Sequence, residues 1–304
     1  KKNKAALNLN DDVFFDKKKG VVISVDTYIN GIHFVNFNSP DFVIKKILRS
    51  SISDLICKGV IPKFYFISGS GNSKTFSKKN LTQISKSLKK EQKIYNLNLC
   101  GGDTTFSNKL SFTITALGYS KKIVYRNKAK LNDDIYVTGN IGDSYIGLQI
   151  LKNKITVNKK ISNFFIKKYF HPELQIKLTN HLLKFANTSI DISDGLFGDL
   201  EKMVNRQNFS FLIKENKIPI SLNLKKLISK KKLKKINTVT NGDDYQILFT
   251  ASLNKSRIIK RISKKLGVKI TKIGKIISGK KKSSIIDVKG KQIKAINNAY
   301  KHEF

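Results

Sequence analysis

The sequence predicts a two-domain protein of the mixed α/β (α+β) class, and three observations carry that reading. A chain of 304 residues is long enough to build two hydrophobic cores. Short apolar or alternating runs that suit strands take turns with longer stretches of helical period. Between 126 and 134 the chain turns polar, which sets a boundary between residues 1–127 and 128–304.

The first domain opens with Asn10-Asp11-Asp12 and a lysine turn that ends at Gly20. Residues 21–26 alternate as a strand, which leads into Thr27 and on to Gly31-Ile32-His33-Phe34. Pro40-Asp41 starts a helix, because proline fits a first turn whose N–H groups have no partner. Phe42, Ile44, Ile47, Leu48, Ile52, Leu55 and Ile56 keep near-helical spacing until Gly59 and Pro62 end it. Asp54 falls in the last turns, where an acid opposes the helix dipole, so unless it is simply exposed it needs a partner, and a metal would serve. A strand at 64–68 and a helix over 78–95 follow. Strand 97–100 then runs into Gly101-Gly102-Asp103-Thr104-Thr105, whose glycines allow close backbone approach and whose last three residues offer side-chain oxygens. Residues 110–118 alternate as the last strand of this half.

The second half begins with a strand at 135–138 and a glycine-rich turn, Gly139-Asn140-Ile141-Gly142-Asp143-Ser144, before a helix through Ile146, Leu148 and Ile150. Amphipathic stretches cover about 160–170 and 173–186. Ser189 to Leu196 is the stretch around which the chain is organised: Ile190 and Ile192 alternate with Asp191 and Ser193 as a short buried strand, and Asp194-Gly195 opens a helix through Leu196, Leu200 and Met203. Two carboxylates and a hydroxyl at a helix mouth suit a hard cation and phosphate. The same octapeptide is equally compatible with Asp194 as a plain helix cap. A basic, poorly patterned segment spans about 214–236, Asn241-Gly242-Asp243-Asp244-Tyr245 introduces a strand at 246–250, and a helix over 254–266, two strands and the tail from Tyr300 to Phe304 complete the chain.

The net charge is +38, which raises nucleic acid as a partner. Only five of the 59 basic residues are Arg, the type favoured for bidentate phosphate and base-edge contacts, and the lysines are spread through every segment. The charge therefore reads as solvated surface of a Lys-, Ile- and Asn-rich composition, not as a nucleic-acid interface. Of the 21 acids, 16 are Asp, placed beside Gly, Ser, Thr or another Asp. Short carboxylates in turns hold cations better than they bridge helix faces. Cys57 and Cys100 make no disulfide framework or metal quartet. With no apolar run near 18 residues and no signal-peptide pattern, a soluble, cytoplasmic protein is expected.

Asp11-Asp12, Ser24-Val25-Asp26-Thr27, Ser53-Asp54, Gly101 to Thr105, Ile190 to Gly195 and Gly242 to Tyr245 form an ordered set over nearly the whole chain. That set resembles the thiamine-monophosphate kinase family, of the superfamily that includes aminoimidazole ribonucleotide synthetase and selenophosphate synthetase. The resemblance implies an N-terminal α/β domain forming a barrel-like sheet across the two-fold of a homodimer, and a C-terminal α/β domain. It implies ATP-dependent phosphorylation of thiamine monophosphate with several magnesium ions. Asp12, Ser24, Asp26, Asp54, Asp103, Asp191 and Asp194 match magnesium positions, Val25 a backbone ligand, Gly102, Arg126 and Ser193 nucleotide contacts, and His33, Asp243 and Tyr300 substrate contacts. Taken alone, His33 between Ile32 and Phe34 reads as a packed core residue. No acid–base residue is expected, because a phosphate monoester is already mostly deprotonated at neutral pH. What the reaction needs is neutralised, aligned phosphates, hence many short acids gathered into one cation-holding cleft.

Several positions depart from the family pattern. Asn8 and Asn10 stand where glycines are common, Asp243 and Gln246 where Glu is usual, and Phe106-Ser107 where Arg-Gly is usual. His171 and Gln175 replace arginines. Two other readings remain: another ATP-using member of the superfamily, and a non-catalytic basic anion- or nucleic-acid-binding protein, whose binding would fall steeply with salt without needing magnesium.

Overall fold

A computed structural model of the chain describes residues 3–231 and 233–293, which form two compact units. The first comprises residues up to Ile56, Val60–Lys122 and Phe170–Pro172, and the second comprises Cys57–Gly59, Ile123–Tyr169 and Glu173 onward.

In the first unit, a 3-10 turn Lys4–Leu9 precedes β1 (Phe14–Asp16), β2 (Val21–Ile29), α1 (Pro40–Cys57), β3 (Pro62–Gly71), α2 (Lys78–Tyr95), β4 (Asn98–Phe106) and β5 (Ser111–Tyr119). The sheet runs β1-β2-β5-β3-β4. β3 and β4 are parallel, and the other pairs are antiparallel. The apolar spacing of α1 does what it predicts: Ile44, Ile47, Leu48, Ile52, Leu55 and Ile56 are all buried. Each such side chain contributes roughly 1.5–3 kcal/mol relative to exposure.

β4 runs further than the strand expected at 97–100, because residues 101–105 continue it. Gly101 has φ +147°, at a bulge opposite Tyr65 and Phe66, and a Cβ on Gly102 would lie 1.7 Å from the Ile67 carbonyl oxygen. The glycines thus let β4 lie closer to β3 than any side chain would allow.

The second unit holds β6 (Asp134–Thr138), α3 (Asp143–Leu151), α4 (Lys159–Phe170), α5 (Ile176–Leu182), β7 (Thr188–Asp191), α6 (Leu196–Val204), β8 (Phe209–Lys214), α7 (Leu222–Lys231), α8 (Lys235–Val239), β9 (Ile247–Ala251), α9 (Ser256–Leu266), β10 (Ile270–Ser278), β11 (Ser284–Ile286) and β12 (Gln292–Ile293). Its sheet runs β12-β11-β8-β10-β6-β9-β7. β6, β7 and β9 are buried along their whole length, as expected of strands covered on both faces. The segment 214–236 is more ordered than its pattern suggested. It carries α7, whose Leu224 and Leu227 are buried among lysines that are good helix formers in their own right. The amphipathic stretch 173–186 narrows to α5.

Candidate active site

In the first unit the site is built at the seam of β2 and α1. The strand's two-residue period turns Ser24 and Asp26 to the same face, and the helix sets Ser51 and Asp54 three residues apart on one side. Ser24 Oγ donates to Asp54 Oδ2 at 2.5 Å. The hydroxyls of Ser51 and Tyr28 hydrogen-bond Asp26, and Tyr28 Oη lies 3.0 Å from Ser51 Oγ. Burial raises the Asp26 pKa above the usual carboxylate value, and those two hydroxyls only partly offset it. Three of the expected ligands, Ser24, Asp26 and Asp54, are therefore brought together, with Ser51 a fourth oxygen that the sequence did not single out. A divalent cation would favour the ionised form of Asp26 that burial disfavours.

The other candidates of this unit are placed differently. Asp12 is half-buried and donates its backbone N–H to Asp11 Oδ1 at 2.9 Å. Val25 points to the opposite face of the sheet and is 61 % exposed. Asp103 also lies on that opposite face. It is in register with Ser68, which pairs with Thr113, which pairs with Thr27, and the Thr27 and Thr113 hydroxyls touch at 2.9 Å. The row through Asp26 instead runs Ile114, Ile67, Gly102. Three strand spacings, about 14 Å, separate β2 from β4. Within one chain Asp103 does not join Asp26 and Asp54. His33 Nδ1 accepts the Ile29 N–H at 3.0 Å, and its ring meets Tyr28 edge-on at 5.9 Å, which fixes it at the end of β2.

In the second unit three loops converge. Asp191 ends β7, buried, and the 192–195 loop packs backbone to backbone against 240–246. Asp243 N–H donates to Ser193 O and Tyr245 N–H to Ile192 O, both at 2.8 Å, and Ile192 N–H donates to Gln246 O at 2.9 Å. A Cβ on Gly242 would lie 1.7 Å from Ser193 O, and one on Gly195 would lie 2.2 Å from Thr240 O. Asp243 (φ 68°) and Tyr245 (φ 51°) are left-handed, a cost that clusters where function holds a backbone in place. The Tyr245 hydroxyl donates to Asp243 Oδ1 at 3.0 Å. The third loop, 139–144, is held by Asp244, whose Oδ2 accepts the Gly142 N–H at 2.8 Å, and by Gln246, whose Oε1 accepts the Thr138 hydroxyl at 2.9 Å. Gln246 Oε1 also accepts Gln175 Nε2–H at 3.1 Å, and Gln246 Nε2 donates to Glu173 O at 2.9 Å. Burial pushes Asp143 up to about 6 and Asp244 well above the ordinary carboxylate value.

The residue that shapes the Asp194 turn is Asp199, which the sequence reading passed over. Its Oδ2 accepts the N–H groups of Asp194 and Gly195, each at 3.0 Å. Its Oδ1 is buried without a hydrogen-bond partner. Burial, reinforced by the charges of Asp194 and Asp191, pushes its pKa up to about 8. Lys202 forms an ion pair with Asp194 and lies 3.6 Å from Asp199 Oδ1. Burial works against the Lys202 charge, yet Asp199 and Asp194 overcome it and raise the lysine pKa, while Arg126 nearby pulls the other way. The signal available in the sequence was position: Asp199 stands in the first turn of α6 and Lys202 one turn further. Ser193 and Arg126 are half-buried, and Tyr300 lies outside the described residues.

Among the described residues no three His, Cys, Asp or Glu side chains form a closed metal cage. The donors are hard oxygens in small groups, which fits magnesium, an ion that takes one or two carboxylates and completes its octahedron with water and substrate phosphates.

Comparison with known proteins adds the following. Residues 2–120 match the family model for "AIR synthase related protein, N-terminal domain". A thiamine-monophosphate kinase of Buchnera aphidicola subsp. Acyrthosiphon pisum (strain APS) is 37 % identical over 268 residues, covering 86 % of this chain and 80 % of the relative. The thiamine-monophosphate kinase of Bacillus subtilis (strain 168) is 31 % identical over 286 residues, covering 91 % and 86 %. A solved structure described as "AaThiL complexed with AMPPCP and TMP" superposes with a TM-score of 0.82 at 26 % identity, over 93 % of this chain and 89 % of that one.

Proposed function

The chain belongs to the thiamine-monophosphate kinase family, and we propose that it transfers the γ-phosphoryl group of ATP to thiamine monophosphate in a magnesium-assisted, in-line reaction. An oxygen of the substrate's terminal phosphate attacks the γ-phosphorus, the bond from that phosphorus to the β-bridging oxygen breaks, and ADP leaves. Thiamine diphosphate is the product. The substrate oxygen carries its charge at neutral pH, since the second ionisation of a phosphate monoester lies near pH 6. No side chain has to remove a proton, and no phospho-enzyme forms.

The packing of Ser24, Asp26, Ser51 and Asp54 along one seam carries this reading. Rigid elements hold those oxygens, so they need no reordering when charge builds up. Magnesium, when bound, neutralises the facing phosphates and aligns them. Asp12, Ser24, Asp26, Asp54, Asp103, Asp191, Asp194 and the Val25 carbonyl would share the holding of several such ions. Gly102, Arg126 and Ser193 bind the nucleotide, and His33, Asp243 and Tyr300 bind the thiamine portion.

We assign the open face of the β1-β2-β5-β3-β4 sheet to a second copy of the chain. It presents Val25 and Phe66 to solvent at 61 % and 42 % exposure, with Asp103 on the wholly exposed β4 beyond them. A homodimer closed there covers those apolar side chains and lets Asp103 serve the partner's seam, which its own chain holds out of its reach.

The test is ADP release with thiamine monophosphate, thiamine, and purine and pyrimidine ribotides, with and without magnesium. Turnover on thiamine monophosphate alone, lost on chelation, is expected. Equal turnover on a ribotide would move the chain to another reaction of the superfamily.

A further inference from the structure

Lys202 is assigned no part in the reaction above, yet its ammonium sits on the carboxylate of Asp194. Side chains on a helix lean toward its N-terminus, so Lys202, within α6, reaches back beyond the first residue of that helix and its cap, Gly195, to Asp194. The lysine is 41 % exposed and the aspartate 22 %, so the pair stands at the mouth of the turn and not in the core. Behind it waits Asp199, fully buried, with Oδ1 lacking any hydrogen bond and only 3.6 Å from the same ammonium. Two carboxylates thus face one lysine, and the lysine satisfies the outer one.

We propose that Lys202 is a built-in counter-ion: it neutralises Asp194 before metal arrives, competes with the divalent cation for that carboxylate, and shifts toward Asp199 Oδ1 when the cation displaces it. The inference rests on the reading of Asp194 as a metal ligand. A lysine suits the role because its charge is compact, its four-carbon stem is flexible, and a short move exchanges one acid for the other. Without the lysine, no cationic side chain would face Asp194 and Asp199 Oδ1 at a turn whose shape Asp199 maintains through the Asp194 and Gly195 N–H groups. With it, the turn is neutralised but metal binding is held weaker than the carboxylates alone would give.

The test measures Mn2+ binding to nucleotide-free protein by electron paramagnetic resonance, for wild type, Lys202→Gln, Lys202→Met, Lys202→Arg and Asp194→Asn. The two neutral variants should bind Mn2+ roughly three- to tenfold more tightly than wild type, the effect of losing one partly exposed competing charge. That gain should shrink at high ionic strength, because salt screens an exposed charge more than it screens the bound ion. Lys202→Arg should stay close to wild type, and Asp194→Asn should bind more weakly. If Asp194→Asn weakens binding but both neutral variants bind no better than wild type, the counter-ion role is overturned and the metal-ligand reading stands. If Asp194→Asn leaves binding unchanged, the metal-ligand reading falls and the inference falls with it.

Discussion

Ser24 and Asp54, thirty positions apart in sequence, share a 2.5 Å hydrogen bond that locks β2 to α1. The acid near the end of α1 thereby receives the partner that the helix dipole makes it need. Asp54→Asn should cut turnover by about a hundredfold or more, with excess magnesium restoring part of it, because the metal is held by fewer charges. Ser24→Ala should cost about tenfold and raise the magnesium concentration for half-maximal rate, in the manner of lost ligand support. Initial rates across a magnesium titration check both, and wild-type rates for Asp54→Asn at limiting magnesium would remove it from the ligand set.

Asp103 lies on the sheet face opposite Asp26, three strands away. If it serves a partner chain, Asp103→Asn and Asp26→Asn are each inactive alone and complement each other when mixed. An equal mixture that exchanges subunits should recover about a quarter of wild-type activity, since half the dimers are mixed and each carries one intact site. No recovery, with subunit exchange verified by mass spectrometry of tagged chains, would place Asp103 in its own chain's site or outside any site.

Burial raises Asp143 to about 6 from an ordinary value of 3.8. Between those two pH values the folded chain holds a proton that the unfolded chain has released, so stability falls as pH rises through that window. The loss is complete above the folded value and amounts to about 3 kcal/mol as an upper figure. Asp143→Asn keeps an oxygen for the Ser221 hydroxyl, which donates to Asp143 Oδ1 at 2.7 Å. Urea denaturation from pH 4 to 8 should show a flatter stability profile for the variant, which gains on wild type at the alkaline end.

Gln175 Nε2–H and Gln246 Oε1 meet at 3.1 Å. Gln246→Glu alone buries a carboxylate beside Thr138 and Gln175 and should cost about 2 kcal/mol or more. Adding Gln175→Arg should recover most of that loss. A double-mutant cycle in thermal denaturation measures the coupling, and additive effects would mean that the two side chains do not act as a pair.

Gly242 has no room for a methyl group, because a Cβ would lie 1.7 Å from Ser193 O. Gly242→Ala should therefore push the 240–246 and 192–195 loops apart. A higher KM for thiamine monophosphate together with lower stability is the expected outcome, read from steady-state kinetics and a melting curve.

Much of this was legible in the chain itself. The helical spacing from Phe42 to Ile56, the alternation at 21–26 and the buried run at 190–192 depend on neighbours a few residues apart, so periodicity reports them directly. The short acids in turns and their order pointed to the family. Less legible were the far end of β4, where the strand runs on through two glycines past its expected end at 100, and α7, whose two buried leucines are masked by lysines.

What the sequence determined alone was which residues form helices and strands and which oxygen-bearing side chains are available, because both follow from local period and residue type. Tertiary structure decided which of those side chains meet. Strand register put Asp103 on the far face of the sheet, a 71-residue separation closed to join Gln175 to Gln246, and α6 folded Lys202 back onto Asp194. Pairing of this kind depends on register and packing between distant segments, and a one-residue shift in a strand would have turned every one of its side chains to the other face.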